Sequence, residues 1–129
     1  MLLLLSLLAA AAPLQIEVPV RSARGALVVR VYQGAEGFLS AQAALREVRL
    51  PIEGPVVRWS AELPPGSYAL TVWHDEDGDG VMALHWYGLP AEGVGVSLNP
   101  RPRFGPPRYQ DAEILLTGAG RGERIELAY

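Results

Sequence analysis

Apolar and polar side chains alternate along most of the chain, and this period of two predicts β-strands rather than helices. The clearest run extends from residue 67 to residue 74, directly after the turn residues Pro65 and Gly66. Both of its faces are largely apolar, with Tyr68, Leu70 and Val72 on one and Ala69, Thr71 and Trp73 on the other. We therefore expect a central strand here.

The same alternation recurs in shorter segments separated by turn residues, a pattern typical of an all-β, antiparallel sandwich of about seven strands. The other predicted strands are 14–20, 27–32, 48–52, 57–63, 112–116 and 125–129. Pro19 cannot donate to a ladder, so we expect 14–20 to be an edge strand, forming a hairpin with 27–32. Ser40 could cap one short helix.

One glycine- and proline-rich segment, Val81–Pro107, lacks a clear period and is predicted to be a long loop. Its large side chains, Trp86, Tyr87 and Phe104, are the expected anchors. A loop of this length in a small domain is usually either functional or tied down by such side chains.

Composition narrows the classes of function. The 129 residues suit one self-supporting domain. The absence of cysteine excludes disulfides, a thiolate nucleophile and cysteine-bound metals. Fourteen acidic and eleven basic residues are spread along the chain, so there is no basic patch for a phosphate backbone and we expect no nucleic-acid binding.

The first 12 residues are an almost unbroken run of leucine and alanine. This run is shorter than the 20 or so residues that span a bilayer, and it is typical of a signal peptide with Ala10–Ala12 at the cleavage site. We therefore expect an exported protein, periplasmic or extracellular, with a domain over 13–129 and no membrane span after cleavage. Against this, no basic residue precedes the leucines and Pro13 would follow the cut, so a membrane-leaning tail is the alternative.

The loop after the central strand carries the densest charge in the chain. Asp75, Asp77 and Asp79, followed by Gly80, match the first half of an Asp-x-Asp-x-Asp-Gly calcium loop, in which alternate oxygens converge on one ion. The Val81 carbonyl would be the next ligand. The alternative is a solvated Asp/Gly turn that binds nothing.

The second half of the calcium pattern is missing. The position of the bidentate glutamate is occupied by Trp86, and a strand rather than a helix comes before the loop. A calcium site would thus need a ligand from elsewhere, with Glu92 and Asp111 as candidates. Its dissociation constant would be about 10⁻⁴ to 10⁻³ M, as in extracellular modules.

His74 ends the central strand beside the aspartates. A neighbouring carboxylate could set it up as a general base. The alternatives are a structural histidine that binds a loop carbonyl or Asp75, and a zinc pair with His85. No nucleophile signature surrounds the serines. Tyr68, just after a Pro-Gly turn, resembles a tyrosine corner, whose hydroxyl binds an upstream backbone group.

Arginines cluster in the late loop, where Arg101, Arg103 and Arg108 surround Phe104. They could form an anion or glycan site. They could equally pair with the acidic loop at one end of the sandwich.

Three motifs in order carry a resemblance to a known family: the run from His74 to Gly80, the pair Gly88-Leu89-Pro90 and Glu92-Gly93, and Arg103 to Pro107 before a C-terminal Ile-Glu-Leu-Ala-Tyr. The chain resembles the bacterial family of exported domains known as DUF2141 over nearly all of its length after residue 12. The resemblance implies a small sandwich of the immunoglobulin-like or prealbumin-like kind, similar to transthyretin-like and carboxypeptidase regulatory-like modules, with no established activity. Ala83 and Val94 depart from the family, where an acid and an aromatic residue are common.

Three functions are compatible with these observations. The first is a non-catalytic exported module of the cell envelope that binds a protein or glycan through its loops, with calcium ordering one of them. The second is a metal-assisted hydrolase centred on His74 and Asp75. The third is an assembly protein that pairs through the edge strand 14–20.

Overall fold

The computed structural model describes residues 10–82, 91–101 and 105–129. It is mostly β, with a 3₁₀ turn at Ala41–Ala43 and a short helix, α1, at Tyr109–Ala112. The strands are β1 (Ala12–Pro19), β2 (Ala26–Tyr32), β3 (Arg46–Pro51), β4 (Val56–Leu63), β5 (Gly66–Asp75), β6 (Val94–Val96), β7 (Ile114–Leu116) and β8 (Arg121–Arg124).

The strands form two sheets that enclose the main hydrophobic core. The first sheet has the order β4-β1-β8, and the second has the order β3-β2-β5-β6, with β7 also paired to β5. Alternate side chains of β1, β2, β4 and β5 fill the core between them. The all-β sandwich predicted from the sequence is confirmed. One strand pair, β1 with β8, is parallel rather than antiparallel.

The central position predicted for β5 is also confirmed. Strand β2 pairs along one side of it, and β6 and β7 pair along the other. Tyr68, Leu70 and Val72 point into the main core, whereas Ala69 belongs to a second cluster with Tyr32 and α1. The Tyr68 hydroxyl donates to the Pro64 carbonyl at 2.5 Å, in the arrangement of a tyrosine corner.

The prediction that the first strand lies at an edge is wrong. Strand β1 is central in its sheet, because β4 pairs with it from Ala12 to Pro19 and β8 pairs with it from Leu14 to Glu17. Both prolines of β1 lie outside the stretch paired with β8, so neither interrupts that pairing. The expected hairpin with β2 is wrong too, since the two strands belong to different sheets.

The C-terminal part of the chain also differs from the prediction. The last strand comes earlier, at β8, and Ala112 belongs to α1 rather than to a strand. Residues 125–129 pass from the first sheet to the second: the Ile125 amide donates to the Glu17 carbonyl at 3.0 Å, and Ala128 and Val94 exchange two backbone hydrogen bonds. We call this segment the C-terminal strap. Trp86, Tyr87 and Phe104 lie outside the described residues.

Candidate functional site

Strand β5 delivers His74 and Asp75 to the same end of the sandwich but to opposite faces of its sheet, because neighbouring side chains alternate along a strand. His74 is on the core side with Val72. Asp75 is on the outer side with Trp73, and the acidic loop 76–80 follows it. We call Asp75, this loop and Glu92 the acidic end.

Asp75 is completely buried, which is unusual for a carboxylate without strong partners. Its Oδ2 atom accepts hydrogen bonds from Arg49 Nη2 at 2.7 Å and from the Gly80 amide at 2.9 Å. Burial acts to raise the pKa of Asp75, but these two bonds, together with hydrogen bonding to Asp77 and the charge of Arg49, outweigh it, and the pKa lies below its ordinary value. Among the described residues, no donor is bound to its other oxygen, Oδ1.

Asp75, Asp77 and Glu92 form a cluster in which one carboxylate oxygen from each lies within 4.8 Å of the others. Glu92 is buried, and its oxygens accept from the Trp73 indole at 3.2 Å and from the Glu76 amide at 2.8 Å. Asp77 is exposed, and the nearby carboxyl groups of Asp79 and Asp75 raise its pKa to about 6. The cluster therefore places three acids around one point, with two of them buried and Asp77 on the solvent side.

Other ligands suggested by the calcium pattern have different positions. Asp79 is outside this cluster, and its Oδ1 accepts from the Val81 amide at 2.9 Å, which closes the turn. Val81 itself is 66% exposed. Asp111 is on α1, where it pairs with Arg108 at 3.3 Å. Of the two candidate ligands from outside the loop, the fold brings Glu92 to the aspartates.

His74 is fully buried, and both of its ring nitrogens have partners. Nε2 is 2.8 Å from the Arg24 carbonyl and Nδ1 is 2.6 Å from the Tyr129 hydroxyl. A carbonyl only accepts, so Nε2 donates to Arg24, and Nδ1 shares a hydrogen bond with the Tyr129 hydroxyl. His74 thus ties a loop and the C-terminal strap to β5. His85 is outside the described residues.

A second set of contacts braces the acidic end from the loop between β1 and β2. Glu76 forms an ion pair with Arg21 and accepts from the Ser22 hydroxyl at 3.0 Å. The Arg21 guanidinium lies 4.2 Å from the centre of the Tyr129 ring, within the range of a cation–π contact. Arg21 lowers the pKa of Glu76, and burial opposes this. The acidic end is therefore held from two sides.

Sequence reasoning missed Arg49, Arg21 and Tyr129 at this site. In the sequence, Arg49 looks like an ordinary exposed residue of an alternating strand. It comes near Asp75 because β2 lies between β3 and β5 in a register that places Ala26 opposite both Pro51 and Asp75. Tyr129 is 55 residues from His74 in the chain. Neither pairing has a local signal that spacing could have revealed.

The structure describes two of the three late-loop arginines. Arg101 is exposed, and Arg103 and Phe104 lie outside the described residues. Arg108 pairs with Asp111 on α1, which packs near Ala69, whereas the acidic loop follows the other end of β5. The arginines that pair with the acidic end in the described structure are Arg49 and Arg21.

A shallow groove of about 600 Å³ lies away from the acidic end, on the first sheet. Gly122 also lines the groove and leaves room between its polar side chains. These polar side chains come from β1, β4 and β8: Gln15, Glu17, Arg58, Ser60 and Arg124. Glu17 pairs there with Arg124 at 2.9 Å. The groove holds no cluster of buried acids or histidines among its described lining residues.

In the described part of the chain, no helix has the length and hydropathy that crossing a bilayer requires. The fold and the braced acidic end define a small all-β sandwich with charged loops at one end. A family model for an uncharacterized protein conserved in bacteria, DUF2141, matches residues 16–123, and the chain belongs to this family. Neither the curated proteins nor the solved structures contain a match to the chain.

Proposed function

We propose that this protein is a non-catalytic, exported β-sandwich module of the cell envelope that binds a partner protein or a glycan through its acidic end. A calcium ion that orders this end is part of the proposal. The observation that carries it is the acidic cluster itself, where Asp75, Asp77 and Glu92 converge at a surface that is braced from two sides.

The environment of His74 supports a non-catalytic role. A general base must reach a substrate proton through a ring nitrogen that is available to it. Both nitrogens of His74 bind groups of the fold, and Asp75 is on the opposite face of the sheet. His74 is therefore poorly placed to act as the general base of the hydrolase alternative.

The braced scaffold favours binding at the acidic end. Recognition loops work best when a rigid framework presents them, because less conformational entropy is lost on binding. Here Arg49, Arg21 and Tyr129 hold the base of the loop, whereas Asp77 and Val81 are exposed at its tip. A partner could therefore contact the tip without reordering the fold.

Export can be tested by cell fractionation. We expect the full chain to appear in the periplasmic or extracellular fraction, and a chain without residues 2–10 to remain in the cytoplasm. Ala12 is kept in the shortened chain because it is buried in β1. Equal distribution of the two chains would contradict export.

The binding surface can be tested by photo-crosslinking in cells. A photoreactive residue at Val81, at the tip, should give specific adducts with a protein or a glycan, whereas the same residue at Ser60, in the groove on the first sheet, should not. Both positions are exposed, so they are matched for access to solvent. Adducts at position 60 alone would place the working surface on the sheet and overturn the proposal.

A further inference from the structure

We infer that Asp75, Asp77 and Glu92 form a site for one divalent cation, best suited to Ca²⁺, in which Arg49 is a built-in counter-charge. This inference rests on the proposed function, since it names what occupies the acidic end. It also changes the ligand set from that of the sequence motif: Glu92 joins, and Asp79 serves the turn instead.

The first argument is the unpaired oxygen of Asp75. A fully buried carboxylate oxygen without a partner costs free energy, and such atoms are rare in folded proteins. Oδ2 is taken by Arg49 and Gly80, so Oδ1 is the atom that remains for the cluster. The carboxylates of Asp77 and Glu92, the other members of the cluster, can only accept when ionised, so in that state they cannot satisfy Oδ1. A bound cation can.

The second argument is the balance of charge. Three ionised carboxylates carry three negative charges. The Arg49 guanidinium, 2.7 Å from Asp75, compensates one of them. A divalent cation bound between the three carboxylates would offset the repulsion among them.

The third argument is the chemistry and spacing of the ligand atoms. All three are carboxylate oxygens, which Ca²⁺ and Mg²⁺ prefer and which zinc sites rarely use alone. Oxygens bound to Ca²⁺ at 2.3–2.6 Å can be separated by up to about 5 Å across the ion, which accommodates atoms within 4.8 Å of one another. Because Asp77 is exposed, water or a partner's oxygen can complete the coordination from the solvent side.

Thermal melting of the full purified chain tests the site. With 10 mM Ca²⁺ against chelator, we expect the melting temperature to rise by about 3–10 °C, as follows for a dissociation constant of 10⁻⁴ to 10⁻³ M. Asp77→Asn should reduce the rise, because it removes one negative charge from the site. Asp79→Asn is the matched control and should keep it, because Asp79 closes the turn through an oxygen that asparagine retains. No rise in the unmutated chain would overturn the site and leave a proton shared between Asp75 and Asp77.

Arg49→Met tests the counter-charge. Without the guanidinium the apo cluster repels itself more strongly, so we expect a lower melting temperature in chelator and a larger rise with Ca²⁺ than in the unmutated chain. An equal or smaller rise would contradict the role of Arg49. If the variant does not fold in chelator, recovery of the melting transition by Ca²⁺ alone supports the role, and failure to recover opposes it.

Terbium luminescence gives a readout that does not depend on stability. Trp73 binds Glu92 directly, so excitation of tryptophan should sensitise a Tb³⁺ ion bound in place of Ca²⁺. Ca²⁺ should compete this signal away, and Asp77→Asn should weaken it while Asp79→Asn keeps it. Loss in Asp79→Asn but not in Asp77→Asn would overturn the ligand set. Because fractionation and crosslinking need no metal, they can fail or succeed independently of this result.

Discussion

At the scale of single residues, Gly25 shows how closely the acidic end is packed against the rest of the fold. Its φ angle is +70°, and a Cβ atom at this position would lie 1.8 Å from the Asp75 carbonyl oxygen. Only glycine combines this backbone conformation with so close an approach. The loop that carries Arg21, Ser22 and the Arg24 carbonyl can therefore lie directly on the end of β5.

Gly25→Ala should destabilise the protein by about 3 kcal/mol or more, because the new methyl group clashes with backbone that cannot move alone. Gly34→Ala is the matched control: its φ is +104° but nothing lies within 4 Å, so we expect a loss of about 1 kcal/mol from backbone strain. Urea unfolding measures both. Similar losses in the two variants would show that the close approach is unimportant.

At the scale of elements, β1 organises the first sheet. It carries β4 on one side and β8 on the other, and its inward side chains Leu14, Ile16 and Val18 are buried in the main core. Strand β3, in contrast, pairs only with β2 among the described residues. Central and edge strands differ in how many of their amides are bonded, which gives a direct test of the topology.

Native-state hydrogen exchange should separate the two positions. We expect the amides of residues 14–18 in β1 to be protected without alternation, because β4 and β8 accept from both sides. In β3 every second amide should exchange fast, since it points away from β2. Alternating protection in β1 would instead show that β1 is an edge strand.

At the scale of the whole molecule, the C-terminal strap joins the two sheets. Ile125 is fully buried and bonds to β1 of the first sheet, Ala128 bonds to Val94 of the second, and Tyr129 reaches His74 at 2.6 Å. Glycine at position 93 makes room for the Tyr129 ring, since a Cβ there would lie 2.5 Å from it. The strap therefore couples the acidic end to both layers of the sandwich.

Removing residues 127–129 should lower the free energy of unfolding by about 2–4 kcal/mol, because two backbone bonds and the partner of a buried histidine nitrogen are lost. Tyr129→Phe deletes only the hydroxyl and should cost about 1–2 kcal/mol. Urea unfolding of both variants measures the difference. If the truncation costs no more than the single substitution, the strap does not join the layers.

The candidate site was only partly readable from the sequence. Asp75, Asp77 and Asp79 stand out because they follow one strand at alternate positions, a signal that is local to six residues. Which of their oxygens converge depends on the turn, because Asp79 Oδ1 accepts a hydrogen bond from the Val81 amide and lies outside the cluster. Glu92 was one of two candidates named from the sequence, and the fold brings it to the aspartates. Arg49 joins through strand pairing, which no spacing rule reports.

The sequence by itself determined the class of fold, the strands β1 to β5 and the central place of β5, because alternation and turn residues act between neighbours along the chain. Only the tertiary structure decided which strands share a sheet, the central position of β1 and the partners of Asp75 and His74. Those features depend on which distant segments meet, and many pairings satisfy the same alternating pattern equally well. Pro19, which suggested an edge strand, does not disturb the sheet because β8 pairs with β1 only from Leu14 to Glu17.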